Sequence, residues 1–159
     1  MASALIDAGA IHRMVLARLE TLIGGKLTII QLGEGEPPEP VDAWVRHESI
    51  DLKFMQRHRG TAEPDLADLS LVFGVFVSEG QSSKLAIGTA ASLLRAAFEG
   101  ETIVDPASPA AVVHQIDLTE SIVAIVSEPM DERRIRVATV TITGVAQRWS
   151  GVSVEDHLN

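Results

Sequence analysis

Leu69-Ser70-Leu71-Val72-Phe73-Gly74-Val75-Phe76-Val77 is apolar at both odd and even positions through its centre, Leu71 to Val77. A strand with that pattern is covered on both faces, by its own chain or by a neighbour. The predicted strand runs from Leu66 to Ser78. Directly after it, Leu85, Ala86, Thr89, Ala90, Leu93, Leu94, Ala97 and Phe98 recur at helical spacing, with Ser82 or Ser83 placed to cap the helix and Gly100 to end it. The abundance of alanine predicts close packing of this helix on a sheet. A two-face strand that feeds an alanine-rich helix makes the fold a mixed one.

Toward the N-terminus, Leu5, Ile11, Val15, Leu19 and Leu22 form one wide apolar stripe. They predict a helix capped by Ser3, with Asp7 near its positive end and Gly24-Gly25 stopping it in a left-handed turn. Lys26 to Leu32 is a short predicted strand. Gly33-Glu34-Gly35-Glu36-Pro37-Pro38-Glu39-Pro40 reads as a solvated acidic loop, because its prolines remove donors and its glutamates repel. Asp42 to Met55 is a long predicted strand, with Trp44, Ile50, Leu52 and Phe54 on one parity and His47, Ser49, Asp51 and Lys53 on the other. Residues 56–65 form a loop.

Toward the C-terminus the pattern is β. The expected strands are Ala111 to Leu118, Ser121 to Ser127 and Arg134 to Val145, the last two joined as an antiparallel hairpin through Glu128-Pro129-Met130-Asp131-Glu132. Ile122 to Val126 is again apolar on both parities. The resulting fold class is α+β: a mostly antiparallel sheet with an N-terminal and a central helix packed on one face. It forms a single domain over residues 1–150, followed by a polar tail over 151–159.

The chain has 159 residues, 46% of them hydrophobic and 22% charged, which is a globular balance. Its 13 basic and 22 acidic residues give a net charge of −9, and such a field repels phosphate over a broad surface. With no cysteine, disulfides, thiolate zinc sites and thiol catalysis are excluded. The start, Met1-Ala2-Ser3-Ala4-Leu5-Ile6-Asp7, lacks a basic segment, so no export signal is expected. The apolar runs are far shorter than the ~20 residues of a spanning helix. A soluble protein made in the cytoplasm, with no membrane partner, is the expectation.

No motif carries catalysis. Gly33-Glu34-Gly35 lacks the Gly-Lys-Ser/Thr ending of a phosphate loop. His12, His47, His58, His114 and His157 stand at no recognised ligand spacing. Glu63, Asp65 and Asp68 cluster on a solvated loop without the calcium-loop pattern. No Gly-x-Ser-x-Gly elbow occurs. The expectation is therefore no enzyme, no metal and no cofactor. What remains is interface chemistry. Arg57, His58 and Arg59 form one basic spot, and Arg134 and Arg136 another beside Arg133. Glu34, Glu36 and Glu39 offer the opposite charge, and Phe73 and Phe76 lie on the doubly apolar strand. Complementary charge of this kind sets register between protein partners.

Several local patterns carry a family likeness. They are the helix at Ile6 to Ile23, the strand Trp44-Val45-Arg46-His47-Glu48-Ser49-Ile50-Asp51-Leu52, and the run from Leu69 to Val77 into Leu85-Ala86-Ile87-Gly88-Thr89-Ala90-Ala91-Ser92-Leu93-Leu94-Arg95-Ala96-Ala97-Phe98. The phrase Phe98-Glu99-Gly100-Glu101-Thr102-Ile103 follows. In pattern and order over Ala2 to Val145, the chain resembles the tail terminator and tail-completion proteins of long-tailed bacteriophages and phage-like elements. The resemblance implies a structural virion protein with no catalytic site. It would cap the tail tube as a six-fold ring of copies of itself, end tail polymerisation and offer the surface for head docking. Its partners would be the tail tube protein and a head–tail connector protein, with DNA passing through the lumen without specific binding. It would sit in the virion neck, at the top of the tail, and in host cytoplasm before assembly. The family has no diagnostic residues to carry over, so the subunit or tube interface rests on the ten residues named above. A head–tail connector or stopper of the neck is the alternative, as is a cellular α+β dimer or ligand-binding module.

Overall fold

Asp7 starts the first helix, α1 (Ala8–Leu22). Its extended backbone turns its carboxylate onto the Gly9 N–H at 2.9 Å, a cap that contributes about 1 kcal/mol. Ser3 lies outside the residues that this computed structural model describes, which are 6–31, 42–54, 65–78, 86–105, 112–126 and 135–150. The helix end differs from the expected left-handed turn. Gly24 keeps an ordinary φ, and its missing side chain lets the Glu20 carbonyl approach: a Cβ there would lie 2.7 Å from that oxygen. Among the described glycines it is Gly100, after the second helix, that adopts the left-handed conformation, with φ 77°.

The remaining elements are β1 (Thr28–Ile30), β2 (Ala43–Phe54), β3 (Asp65–Ser78), α2 (Ile87–Phe98), β4 (Thr102–Val104), β5 (Val112–Ile125) and β6 (Ile135–Ser150). They build one six-stranded sheet in the order β1-β2-β3-β6-β5-β4. Every pairing is antiparallel except β1 with β2. The α+β class and the β5–β6 hairpin stand as read from the sequence. Ser82 and Ser83 lie outside the described residues, and α2 starts from Ala86 without a side-chain cap.

Both helices cover one face. Ile11, Met14, Val15 and Leu19 of α1 and Ala90, Ala91, Leu94 and Phe98 of α2 share a core with the odd positions of β3, Ala67 through Val77. Ala138, Val140 and Ile142 of β6 and Ile116 and Leu118 of β5 complete it. The buried alanines let α2 sit close over β6, as the sequence suggested. Along β6, Val140 and Ile142 face the helices, while Thr139, Thr141 and Thr143 hold the opposite face. The β-branched residues suit a long pleated strand on both sides.

Two bulges change the faces assigned from parity. In β2 the pairing jumps from His47↔Phe73 to Ser49↔Val72, leaving Glu48 as the extra residue. Val45 and His47 therefore face the helices before the bulge, and Ile50 and Leu52 after it. Trp44, expected beside Ile50, lies on the other face, where it stacks on Phe76 with centroids 5.1 Å apart. Phe54 keeps the parity of Ile50 but is 56% exposed at the strand's end. In β5 the jump from Leu118↔Gly144 to Glu120↔Thr143 leaves Thr119 extra. The two strands expected at Ala111 to Leu118 and Ser121 to Ser127 are one strand bent at that bulge.

Asp65 was expected in a solvated acidic loop. It opens β3 instead, is 2% exposed, and accepts the Ile6 N–H at 2.7 Å. Beside it, His114 Nε2 accepts the Asp7 N–H at 3.2 Å, and Arg13 pairs with the buried Asp105 at 3.2 Å. These bonds fix the start of α1 to the sheet across 59 to 107 residues of chain. No described helix is long and apolar enough to cross a membrane.

Candidate functional site

With the helices on one side, the molecule presents the other sheet face and the sheet's two edges. At one end of that face, Ile30, Trp44, Phe76, Ile135 and Val137 bury one another in a second apolar cluster. Arg46 lies 5.2 Å over the Phe76 ring and pairs with Glu48 at 2.8 Å. The buried Trp44 Nε1–H finds no hydrogen-bond partner among the described residues. At the other end the face is polar. An open groove of about 540 Å³ runs there between Asp51, Lys53, Asp68, Ser70, Glu120 and Thr143.

The two doubly apolar stretches meet different fates. Leu71 to Val77 is covered within the subunit by the helices on one side and, at Phe76, by the second cluster on the other, with Val72 half-buried between Ser49 and Thr141. Ile122 to Val126 is not. There Ile122 is 68%, Val123 38%, Ile125 51% and Val126 46% exposed. The short β4 pairs only with Gln115 to Asp117, so among the described residues the strand beyond Thr119 is a sheet edge. Long, exposed apolar edges are ready templates for pairing with another chain. The start of this edge is held in place. Ser121 Oγ donates to Glu99 at 2.7 Å, and Arg95 reaches both Glu99 (2.8 Å) and Ser121 (3.0 Å). The Ser121 bond, then the Arg95 bond, hold the Glu99 carboxyl below its ordinary range.

Of the ten interface residues expected from sequence, three lie among the described residues. Phe73 is fully buried on the helix face, stacked 4.8 Å from His47 and 5.3 Å from Phe98. Phe76 is on the opposite face, 8% exposed. Arg136 stands across from Val77 at the start of β6. The structure brings no two of these three together. Arg57, His58, Arg59, Glu34, Glu36, Glu39 and Arg134 lie outside the described residues. The exposed edge was signalled in the sequence by its apolar residues on both parities, but none of the ten residues falls on it.

No group of three or more metal-ligating side chains converges among the described residues. Among the described residues His47 is the most perturbed titratable group. Burial first, then the charge of His12, pushes it from 6.5 down to about 4, against a backbone hydrogen bond with Ser49. Burial also lowers His114, helped by Arg148 and opposed by Asp105 and Asp7. Both rings are kept neutral in the fold, while unfolded imidazoles take up protons near pH 6.5. The stabilisation from each is therefore full above that pH and is lost as pH falls, for His47 as pH falls toward 4. For His47 this amounts to something on the order of 3 kcal/mol. Urea midpoints measured between pH 7 and pH 4 are expected to fall steeply, and the fall to shrink in His47→Leu. A flat profile contradicts the buried, neutral imidazole.

No protein-family model matches the chain. No curated protein matches it either. Among solved structures, the chain is similar in fold to one described as "Virion of native gene transfer agent (GTA) particle". The TM-score is 0.55 at 16% identity, covering 88% of this chain and 96% of the other.

Proposed function

We propose that the chain is a structural subunit of a phage-like particle, of the tail terminator type. Copies close into a ring on the finished tail tube, end its growth and offer the surface on which the filled head docks. The observation that supports the particle reading is the fold likeness to a chain of a gene transfer agent virion over nearly the whole length of both, and the terminator type rests on the sequence resemblance.

The physical chemistry is compatible. Six copies at −9 each sum to −54, and a lumen of that sign lets DNA slide without sticking. The sheet's polar end, with Asp51, Asp68 and Glu120 around its groove, is suited to such a lining. A heterologous contact between identical subunits makes a pore of fixed size when the rotation closes. The acidic stretch with Glu34, Glu36 and Glu39 and the basic one with Arg57, His58 and Arg59 supply opposite charges for contacts between copies or with the tube. The Arg134–Arg136 stretch supplies a second basic contact.

The test is incorporation. A tagged chain is expected to purify with tails. Arg57→Glu combined with Arg59→Glu should lower that incorporation at least tenfold, while the free variant keeps the wild-type melting temperature. Unchanged incorporation removes the basic stretch from the interface. A wild-type chain absent from all particles removes the virion reading.

A further inference from the structure

The two free edges of the sheet complement each other. Among the described residues the β5 edge is free from Glu120 onward, past the bulge at Thr119. On the opposite side, β1 pairs only with Trp44 to Arg46, so among the described residues β2 is an edge from Ser49 onward, past the bulge at Glu48. Each bulge falls where its strand loses the outer neighbour. The edges are of similar length, and both carry half-exposed or exposed apolar side chains: Ile122, Val123 and Ile125 on one, Ile50, Leu52 and Phe54 on the other.

We infer that these edges pair with each other between copies of this chain, the β5 edge of one against the β2 edge of the next. This gives the ring proposed above its seam and rests on that reading. Direction and face support it. Within the subunit β5 runs antiparallel to β2, through the antiparallel steps β2–β3, β3–β6 and β6–β5. Two copies in the same orientation therefore meet as an antiparallel pair, with all helices on one wall. In-phase pairing requires Ser121 and Val123 to share a side with Ile50 and Leu52.

Charge selects the register among those in phase. Glu120 opposite Asp51 sets two carboxylates together, which is unfavourable. A shift of two residues places Glu120 opposite Lys53, Val123 opposite Ile50 and Ala124 opposite Ser49. In its own sheet Glu120 stands level with Asp51, through Thr143 and Ser70. Pairing with Lys53 thus displaces each copy by two residues, about 7 Å, along the strands. A constant displacement of this kind around a closed ring is a tilt of the strands to its axis. The contact is heterologous and uses both edges of every copy, so it propagates until it closes.

The chain has no cysteine of its own, which makes cross-linking decisive. Val123 and Ile50 lie three strand spacings apart within one subunit, about 14 Å, beyond the ~7 Å Cα separation a disulfide spans. Val123→Cys combined with Ile50→Cys is expected to give, on oxidation of particles and of the concentrated purified chain, a covalent ladder that ends at one closed species. Either single variant should give none. Ala124→Cys with Ser49→Cys repeats the test on the other face should the first pair fold poorly. Glu120→Lys and Lys53→Glu should each weaken assembly at least tenfold, and their combination restore it. Rings that form without cross-linking overturn the edge pairing and leave the ring reading standing. Dimers from Val123→Cys alone overturn it in favour of β5 meeting β5. A ladder from a chain that has no effect on tails keeps the seam and removes the terminator reading.

Discussion

Phe73→Ala lowers the stability of the folded subunit by about 4 kcal/mol, within the ~3–5 kcal/mol range for deleting a buried phenylalanine ring. Phe73 is fully buried at the centre of the sheet, directly opposite His47 on β2 and Val140 on β6. Its ring stacks on His47 on one side and on Phe98 of α2 on another. Truncation removes the ring that packs between His47 of β2 and Phe98 of α2. The neighbours cannot collapse inward, because β3 is hydrogen-bonded on both sides along its length. For a domain of this size the melting temperature should drop by roughly 12 °C. Phe76→Ala should cost clearly less, since Phe76 belongs to the smaller cluster at the rim. Thermal melts of the two variants check the order. Phe73→Ala with a wild-type melt and failed assembly would mean that the ring faces a neighbour rather than the subunit's own core.

Gly144→Ala is expected to be comparably severe, costing about 3 kcal/mol or more, whereas glycine-to-alanine exchanges at unstrained sites usually stabilise by ~0.4–1 kcal/mol. Gly144 pairs with Leu118 immediately before the β5 bulge at Thr119, where the β5 backbone comes close to β6. A methyl group at Gly144 would overlap the Asp117 carbonyl oxygen and stand 2.8 Å from Leu118 Cα. Both are backbone, so no side chain can swing away. The strand would have to separate, breaking the ladder that sets where the free edge begins. Gly25 and Gly88 have open space where a Cβ would go and serve as controls. Urea unfolding of Gly144→Ala against Gly88→Ala measures the difference, and equal midpoints would refute the close approach.

The fold was legible where side-chain pattern and backbone agree. Ile11, Val15 and Leu19 of α1, Ala90, Leu94, Ala97 and Phe98 of α2 and the two-face strand around Phe73 are buried as their spacing implied, whereas Leu22, Ala86 and Thr89, placed on the same faces by that spacing, are exposed. Bulges were not legible. A parity rule carried through Glu48 placed Trp44 with Ile50, because nothing in the residue types there marks an inserted position. At Thr119 the same insertion looked like a gap between two strands, since Thr119-Glu120 is a polar pair between apolar runs. The three residues of β4 are too few to show a period. Asp65 was misplaced because a carboxylate near Pro64 reads as loop until its long-range partner, the Ile6 N–H, is known.

The candidate site was legible in kind more than in place. Double apolarity indicated a partner, and it marked both Leu71 to Val77 and Ile122 to Val126. Only topology separates them. The first is a central strand whose second face is closed by Trp44, Ile135 and Val137, and the second is an edge that outruns β4. A short distance along that edge, Glu120 is an unremarkable acid in sequence. It gains a role only beside the opposite edge and its Lys53.

The most direct measurement of the central claim is electron microscopy of particles made with this chain's gene deleted from a phage-like locus that can be induced. A ring that ends tube growth and receives the head should leave tubes of uncontrolled length beside filled, tailless heads. Normal-length tails beside heads that leak DNA would contradict termination and point to the neck. Intact, functional particles would contradict a virion role altogether.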